Sequence, residues 1–585
     1  MCGITLVPSS DRLVIVSCAT ATAAASEIQH SCERKGLSDE LKEALRWRGP
    51  DSLGYESRRL LADGMVLGEW LSCVAVSDGC NDGVEGKGSV SDSGVADLFF
   101  IGATLHLMGA KLVSQPLVAP TGSVLVYNGE IYGGIQVADD ENDTQALFTS
   151  LESCCSCDCH ALGRDKTCPC CGCGAKSVLQ LLSTIKGPWA LIYWQMKTNT
   201  IWFGRDAFGR RSLLVHWPTA DDSRFILSSV SPPSLAKNHS DPTVNDFVSD
   251  RDMSNHTGAS YWEELPCGIY SIHMKDIGKY GARMKERGNH QLSQSFISSR
   301  EAEENANNGI TKADLLSDSS LCEANCITQS AHRVLVALRE SVMLRTKMNT
   351  LFQLAPDRIS AIAGLKELQR ISPCRRWRLI EIDTALTDLK GESEHDLNIG
   401  IALWLAAGGD GWVDGSTCRM QDGARYKYRS RSRVLIVGSG ADEQCAGYGR
   451  HRTKYRLGGW NALDQEMRLD VQRIWKRNMG RDDRCISDHG KEARFPFLYE
   501  NVIKTLLEIP LWEIAKLDEP VGKGDKKILR EVARLLGLQE AALQPKRAIQ
   551  FGSRIARESN RQNFGSNRAA NQASAGSVQI HQHMQ

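Results

Sequence analysis

A short apolar run that enters a glycine-rich turn most constrains how the second half of this 585-residue chain can fold. The run VLIV at 434–437 is followed by GSGADE at 438–443 and then by a helix-forming stretch. A strand that leads through a tight turn into a helix is the unit of parallel α/β sheets, which bind ligands beyond the carboxyl ends of their strands. The pattern predicts an α/β parallel-sheet domain over 329–557 with a ligand site at this turn.

The first part of the chain, 2–235, has a different pattern. Short apolar runs alternate with turns that carry Gly, Asp and Asn, as in GSVLVYNGE and GPWALIYW. Such runs are typical of strands, so we predict a strand-rich first domain. The polar, aperiodic stretch 283–328 reads as a linker, and the polar end 558–585 reads as a disordered tail.

Length and charge narrow the class of protein. A chain of 585 residues is long enough for two domains, and 70 basic residues balance 70 acidic ones. The balance gives no sign of a nucleic-acid partner, and no apolar run approaches the ~20 residues of a membrane span. The 20 cysteines are clustered, which favours reduced thiols and a cytoplasmic location over a secreted disulfide framework. No feature determines the oligomeric state.

Cys2 directly follows the initiator methionine in MCGITLV. Removal of the methionine would leave a thiol and a free α-amine on one residue, and the amine, with a pKa of roughly 7.7–8.0, could accept the thiol proton. Two alternatives remain open. Cys2 is an ordinary second residue, or the stretch SCATATAAASEIQH marks a processing site whose cleavage would remove it.

Three later stretches supply groups that suit an amide substrate. Arg48, in RWRGPD, could clamp a carboxylate, and Asn128 with the Gly129 amide could stabilise an oxyanion. Asp143, in ENDTQ, could hold an α-ammonium group. Each stretch taken alone is also ordinary turn chemistry.

Together and in this order, these stretches resemble the class II glutamine amidotransferases. That resemblance implies an α+β N-terminal-nucleophile hydrolase fold, an αββα sandwich, over 2–235. It implies that Cys2 attacks the glutamine amide, that Asn128 and Gly129 stabilise the oxyanion, and that Arg48 holds the substrate carboxylate. Glu130 would hold the α-ammonium group together with Asp143.

An insertion at 153–174 adds eight cysteines between Cys154 and Cys173. Cys154-x-x-Cys157 and Cys168-x-x-Cys171 could close a tetrahedral zinc site. The alternative is a Gly/Cys-rich loop without metal.

The second half resembles the asparagine synthetase domain, and it is most similar to the divergent asparagine synthetase domain-containing proteins. The segments RDDRCISDHGKEARFPFL, GDKKILREVARLLG and LQPKRAIQFG carry the likeness, together with GSGADE. The resemblance implies an adenine-nucleotide α-hydrolase-like fold that uses ATP and Mg²⁺ to amidate aspartate with ammonia from glutamine. It implies that ATP or substrate contacts Lys526 and the turn residues Gly438, Ser439, Gly440, Asp442 and Glu443.

Two departures from the family pattern keep alternatives open. Ser439 stands where relatives have Glu, and no Ser-Gly-Gly-x-Asp-Ser loop exists anywhere in the chain, since RTKMNTLFQLAPDRIS runs straight into the next helical stretch. The resemblance implies that this loop follows a strand of the sheet and wraps the ATP pyrophosphate. The alternatives to asparagine synthesis are a non-catalytic or glutaminase-only scaffold with a degenerate synthetase half, and an amidotransferase with a sugar or phosphoribosyl acceptor.

Overall fold

The computed structural model describes twenty stretches of the chain. They are 4–6, 13–15, 41–42, 44–61, 66–67, 73–76, 94–107, 109, 111–138, 141–155, 176–217, 225–231, 262–273, 285–288, 320–343, 356–375, 377–382, 397–416, 418 and 423–553. Cys2, three of the four predicted zinc ligands (Cys157, Cys168 and Cys171), the segment 344–355 and the tail 558–585 lie outside these residues. In the described part, no helix is long and apolar enough to cross a membrane.

The strands are β1 Ile4–Leu6, β2 Leu13–Ile15, β3 Ser52–Leu61, β4 Val66–Leu67, β5 Cys73–Val76, β6 Gly94–Thr104, β7 Leu117–Val118, β8 Val124–Gly129, β9 Trp189–Gln195, β10 Thr200–Arg205, β11 Leu214–His216, β12 Ile226–Ser228, β13 Glu263–Glu264, β14 Gly268–His273, β15 Lys285–Gly288, β16 Ile380–Glu381, β17 Asp410–Asp414, β18 Arg425–Arg429, β19 Val434–Ile436 and β20 Glu492–Arg494. The helices are α1 41–48, α2 Asp143–Glu152, α3 Val178–Thr184, α4 Ser320–Met343, α5 Pro356–Ile371, α6 Leu397–Gly408, α7 Ala441–Gln444, α8 Gly449–Gln472, α9 Gly480–Ser487, α10 Glu500–Leu507, α11 Leu511–Ile514, α12 Lys527–Leu535 and α13 Ile549–Gly552.

Two sheets packed face to face form the N-terminal half. The first sheet has the order β13-β11-β12-β1-β6-β3-β4, with β2 also on β6 and β5 also on β3, and the second has the order β15-β14-β10-β9-β8-β7. Apolar residues alternate along these strands, so one set from each sheet meets in a shared core that includes Phe100, Val126, Ile192 and Phe203.

The outer face of each sheet is covered by helices. Leu41 and Leu45 of α1 pack on Ile101 of the first sheet. On the second sheet, α2 and α3 pack against the residues of β8 and β9 that point away from the shared core, such as Leu125 and Tyr193. The four layers, helix–sheet–sheet–helix, agree with the sandwich expected from the sequence.

The N-terminal half continues beyond its predicted end at 235. β13 pairs with β11, and β14 pairs with β10, so both complete sheets that began earlier in the chain. β15, at Lys285–Gly288, adds an edge strand to β14, and α4 begins at Ser320. The predicted linker 283–328 is therefore too long at both ends, because its polar residues suit an exposed sheet edge and a helix start as well as they suit a linker.

The C-terminal half contains less parallel sheet than predicted. Among the described residues of this half, the parallel strands are the pair β19 and β20, with Val434 opposite Glu492 and Ile436 opposite Arg494. The other strands of this half, β16–β17–β18, are antiparallel. The strand-to-turn-to-helix unit itself is confirmed, since β19 leads through 438–440 into α7. Helix α4 packs on α10 and α12 through Val334, Val502 and Ile528.

Candidate functional site

β8 brings the predicted oxyanion residues to the end of a fully buried strand. Asn128 is 0% exposed, and neither its Oδ1 nor its Nδ2 has a hydrogen-bond partner in the structure described here. Gly129 has no room for a side chain, because a Cβ there would overlap the Pro188 carbonyl oxygen and lie 2.6 Å from the Tyr127 hydroxyl. Glycine therefore lets the end of β8 pack directly against Pro188 and Tyr127.

Glu130 and Asp143 line one cavity with Gly129. Asp143 is the first residue of α2, capped by the Asn142 side chain, and its Oδ2 accepts a hydrogen bond from Ile131 N at 3.1 Å. Burial raises the pKa of Asp143 to about 6. The cavity is also lined by Thr104, Leu105, His106, Leu107, Val113, Gln115, Tyr127, Asn142, Thr144 and Glu492. Three of the predicted glutamine-site residues thus meet at one cavity.

Arg48 lies at the end of α1 and is not among the residues that line this cavity. It is 1% exposed, and none of its guanidinium nitrogens has a hydrogen-bond partner among the described residues. Its nearest charges are Asp483 at 4.0 Å and Asp488 at 3.9 Å, both from the C-terminal half. Burial lowers the pKa of Arg48. A buried guanidinium without hydrogen bonds is a group that a carboxylate ligand would satisfy.

The C-terminal half contributes a residue to the cavity that sequence analysis missed. Glu492 lies on β20, and Arg494 pairs with both Glu492 and Glu130, which brings the two carboxylates side by side. Arg211, which precedes β11, holds the other side of Glu492 at 3.3 Å. Burial and the Glu492 charge raise the pKa of Glu130 to about 8, whereas Arg211 and Arg494 outweigh burial and lower the pKa of Glu492 to about 2. The sequence signal that could have pointed to Glu492 is the Glu-x-Arg segment at 492–494.

The predicted synthetase residues also come together, at the turn after β19. Gly440 has φ +98°, a conformation that glycine adopts without strain, and this lets its N–H donate to Glu443 Oε2 at 3.1 Å. Ser439 Oγ donates to Asp482 Oδ2 at 3.2 Å. A Cβ at Gly438 would meet nothing within 4 Å, so the turn is open on that side.

Two lysines converge on Asp442. Lys526 Nζ lies 2.6 Å from Asp442 Oδ1, and Lys546 Nζ lies 3.7 Å from Oδ2, with all three side chains 21–24% exposed. Gly447 makes the pair possible, since a Cβ there would overlap the Asp442 carboxylate and lie 2.7 Å from Lys526 Cε. Two ammonium groups over one carboxylate leave a positive charge at an opening, which suits a phosphate.

Glu443 lies deeper than Asp442. Its Oε1 accepts hydrogen bonds from the Tyr448 hydroxyl at 2.6 Å and from Asn478 Nδ2 at 3.3 Å. Burial raises the pKa of Glu443. Tyr448 stacks between Arg450 and Lys546, at 4.0 and 4.8 Å from its ring centre. The turn therefore has one accessible carboxylate, Asp442, and one that organises the surrounding side chains.

Of the four predicted zinc ligands, Cys154 is the one that lies within the described residues. This residue is buried at the end of α2, and its thiol donates to the Ser150 carbonyl oxygen at 3.4 Å. Burial raises the pKa of Cys154 to about 12. Among the described residues, no group of three or more His, Cys, Asp or Glu could hold a metal ion. Zinc binding stays a prediction.

Known protein families match parts of both halves of the chain. A family described as "Glutamine amidotransferase domain" matches residues 103–235, and one described as "Asparagine synthase" matches residues 452–575, which begins after the turn at 438–443. Asparagine synthetase domain-containing protein 1 of Bos taurus is 31% identical over 612 residues, covering 78% of this chain and 88% of the relative. The Mus musculus protein of the same name is 30% identical over 652 residues, covering 89% and 94%.

A solved glutamine phosphoribosylpyrophosphate amidotransferase from B. subtilis is 12% identical and covers 49% of each chain. Its TM-score of 0.25 is too low to support a conclusion.

Proposed function

Because this chain belongs to the asparagine synthetase domain-containing family, we propose that it hydrolyses glutamine in its N-terminal half and uses the ammonia to amidate aspartate in its C-terminal half. The observation that carries the first step is that Arg48 and Asn128, two buried side chains, have no hydrogen-bond partner among the described residues, while Gly129, Glu130 and Asp143 line one cavity. Leaving buried polar groups unpaired costs about 1–3 kcal/mol each, so such groups point to a ligand.

In this proposal the Cys2 thiolate adds to the side-chain amide carbon of glutamine. The negative charge that develops on the amide oxygen is stabilised by the Gly129 N–H and the Asn128 side chain. When this adduct collapses, the proton that the Cys2 α-amine took from the thiol passes to the leaving nitrogen, ammonia is released, and a thioester remains, which water hydrolyses to glutamate and the free thiol. Arg48 takes the substrate carboxylate, and Glu130 and Asp143 take its ammonium group.

In the C-terminal half, Lys526 and Lys546 would hold the phosphates of ATP, and the open backbone at Gly438 would let a ligand approach the turn. Bound ATP supplies the leaving group that activates the aspartate carboxyl, and Mg²⁺ neutralises its phosphates. The lysines fit this use because their charge exceeds that of Asp442. Asp442 is the accessible carboxylate that could reach the metal.

The test measures the release of ammonia from glutamine by protein whose initiator methionine has been removed. We expect turnover in the wild type and none in Cys2→Ala, or when a tag blocks the α-amine. Asn128→Ala should lower kcat by about 10²–10³ if it removes an oxyanion donor. Full turnover in Cys2→Ala would refute the N-terminal nucleophile.

A specific observation favours a second candidate, a glutaminase whose synthetase half is degenerate. The chain has no Ser-Gly-Gly-x-Asp-Ser segment, and β19, which a full parallel sheet would bury, is only half-buried. Aspartate-dependent pyrophosphate release separates the two candidates. If the segment matters, inserting it after Lys347 should raise this rate; equal rates would mean that other residues hold the phosphates.

A further inference from the structure

The glutamine cavity of the N-terminal half is lined in part by the C-terminal half. Glu492 lies on β20, yet it lines the cavity together with Glu130 and Asp143. It is 1% exposed, and it is held by guanidinium groups from both halves, Arg211 at 3.3 Å and Arg494 at 2.8 Å. Glu492 therefore cannot move out of the cavity without breaking two buried ion pairs.

The charges around the cavity do not balance. Three carboxylates (Glu130, Asp143 and Glu492) face two guanidinium groups (Arg211 and Arg494), and Arg211 also contacts Asp483. One negative charge is left over in a buried site, where an uncompensated charge is costly. Counted over the described residues alone, the site is therefore one positive charge short, which a proton or a cationic group would supply.

Arg494 pairs with Glu130 and with Glu492, so the two carboxyl groups lie side by side, where a proton on one of them would let it donate a hydrogen bond to the other. Two carboxyl groups can hydrogen-bond to each other only if one of them is protonated. The other polar or titratable groups that face the pair are Asp143 on α2, Arg211 before β11, Arg494 on β20, Tyr127 on β8, Tyr132 after β8 and His106 after β6. Of these, the two arginines and the Tyr132 hydroxyl, which donates a hydrogen bond to Glu130 Oε2, oppose protonation of the pair.

We propose that Glu492 is a positioning residue of the glutamine site, supplied by the synthetase half, and that the substrate α-ammonium group displaces the proton shared by Glu130 and Glu492. This inference rests on the proposed glutaminase function and adds to it. No covalent bond changes in this step: the proton leaves to solvent, and the ammonium group takes its place between the carboxylates. Glutamine binding then requires that the two halves be docked.

The test compares Glu492→Gln with Glu500→Gln in the full chain. Glu500 is a matched control, because it also crosses the boundary, accepting from Gly187 N at 3.1 Å and Arg210 at 2.7 Å, but it does not line the cavity. We expect Glu492→Gln to raise the KM for glutamine about tenfold or more, as for a lost hydrogen bond to a charged group, and Glu500→Gln to leave it within about twofold.

A ligand without the ammonium group separates positioning from a structural effect. Glutaramate is glutamine that lacks the α-amine, and its inhibition constant should be the same for wild type and Glu492→Gln. Equal weakening of glutamine and glutaramate would mean that Glu492 only supports the fold, and an unchanged KM for glutamine would remove it from the site. Both results would overturn the inference and leave the glutaminase function standing.

A measurement on the wild type covers the case in which Glu492→Gln does not fold. Since the ammonium group competes with a proton, the KM for glutamine should fall by up to about tenfold per pH unit as the pH rises toward 8, where Glu130 loses its proton. The inhibition constant of glutaramate should not follow this trend. A glutamine KM that is flat with pH would overturn the inference, and absence of any hydrolysis by the wild type would overturn the proposed function and the inference together.

Discussion

Replacing Asp483 by Asn tests whether the two halves are held together by buried charge. Asp483 is 0% exposed on α9, and it is the second aspartate of the Arg-Asp-Asp-Arg segment. Its partners are in the N-terminal half: it accepts from Ser212 N at 3.0 Å, and it lies 3.5 Å from Arg211 and 4.0 Å from Arg48. Asparagine has the same shape, so the substitution removes the charge and little else.

The magnitude follows from the partners that remain. At an effective dielectric constant of about 20, an ion pair at these distances is worth about 4 kcal/mol before desolvation. Breaking a buried pair by removing one partner costs about 3–5 kcal/mol, because the other charge stays buried. In the variant, Arg211 is still paired with Glu492 and Arg48 is still paired with Asp488, which reduces the loss of stability. We therefore expect the free energy of unfolding to fall by about 3 kcal/mol.

The assay is urea unfolding followed by tryptophan fluorescence and by circular dichroism, since a two-domain chain need not unfold in one step. Asp482→Asn is the control, because the neighbouring side chain binds Arg481 and Ser439 within its own half. The loss in Asp483→Asn should persist in about 1 M salt, which screens exposed charges and not buried ones. A loss below about 1 kcal/mol, or one equal to that of Asp482→Asn, would refute the reasoning.

Three further predictions concern the C-terminal half. Asp470 is buried, and its pKa is lowered because hydrogen bonds from a histidine and two arginines outweigh burial. Its contribution to stability is present above about pH 4 and is lost as the pH falls. The Asp470→Asn variant should therefore unfold with a free energy about 3 kcal/mol lower at pH 7, and its stability should depend less on pH in the acid range. Gly447→Ala should displace the Asp442 carboxylate and weaken pyrophosphate binding, measured by calorimetry, whereas Gly449→Ala, with nothing within 4 Å, should not. Burial lowers the pKa of Lys491 to about 8. Because the unfolded chain keeps this proton up to about pH 10, the stability of the wild type should rise between about pH 8 and about pH 10. Thermal unfolding of Lys491→Met should show no such rise.

The sequence predicted the elements whose apolar residues repeat regularly. β8, β9 and β10 lie in runs bounded by turn residues, and each is almost wholly buried. β13 and β15 were missed because the first is two residues long and the second, KERG, is polar. Such strands exist only because a sheet edge is available to pair with them, and no local pattern reports that.

The candidate site could be predicted residue by residue where a motif carried it. Gly129, Glu130 and Asp143 meet at one cavity, and Asp442 pairs with Lys526, as residues of one site should. The parallel sheet was overestimated, because one strand–turn–helix unit was taken to stand for a whole sheet. A single unit fixes local geometry and says little about how many neighbours the strand has.

The residues that join the two halves could not be predicted, because each charged motif looked complete by itself. Arg-Asp-Asp-Arg and Glu-Ala-Arg were interpreted as synthetase residues, yet Asp483 and Glu492 are both held by Arg211 of the other half. A short charged segment is ordinarily solvated, and only the fold shows that its partners lie some 270 residues away along the chain. Separating the halves would leave Arg48, Arg211 and their carboxylates each exposed or unpaired, at a cost that neither half recovers alone. The cavity lined by Glu130 and Asp143 and the strand that leads to the GSGADE turn are therefore parts of one structure, since β20 carries Glu492 into the cavity and pairs with β19.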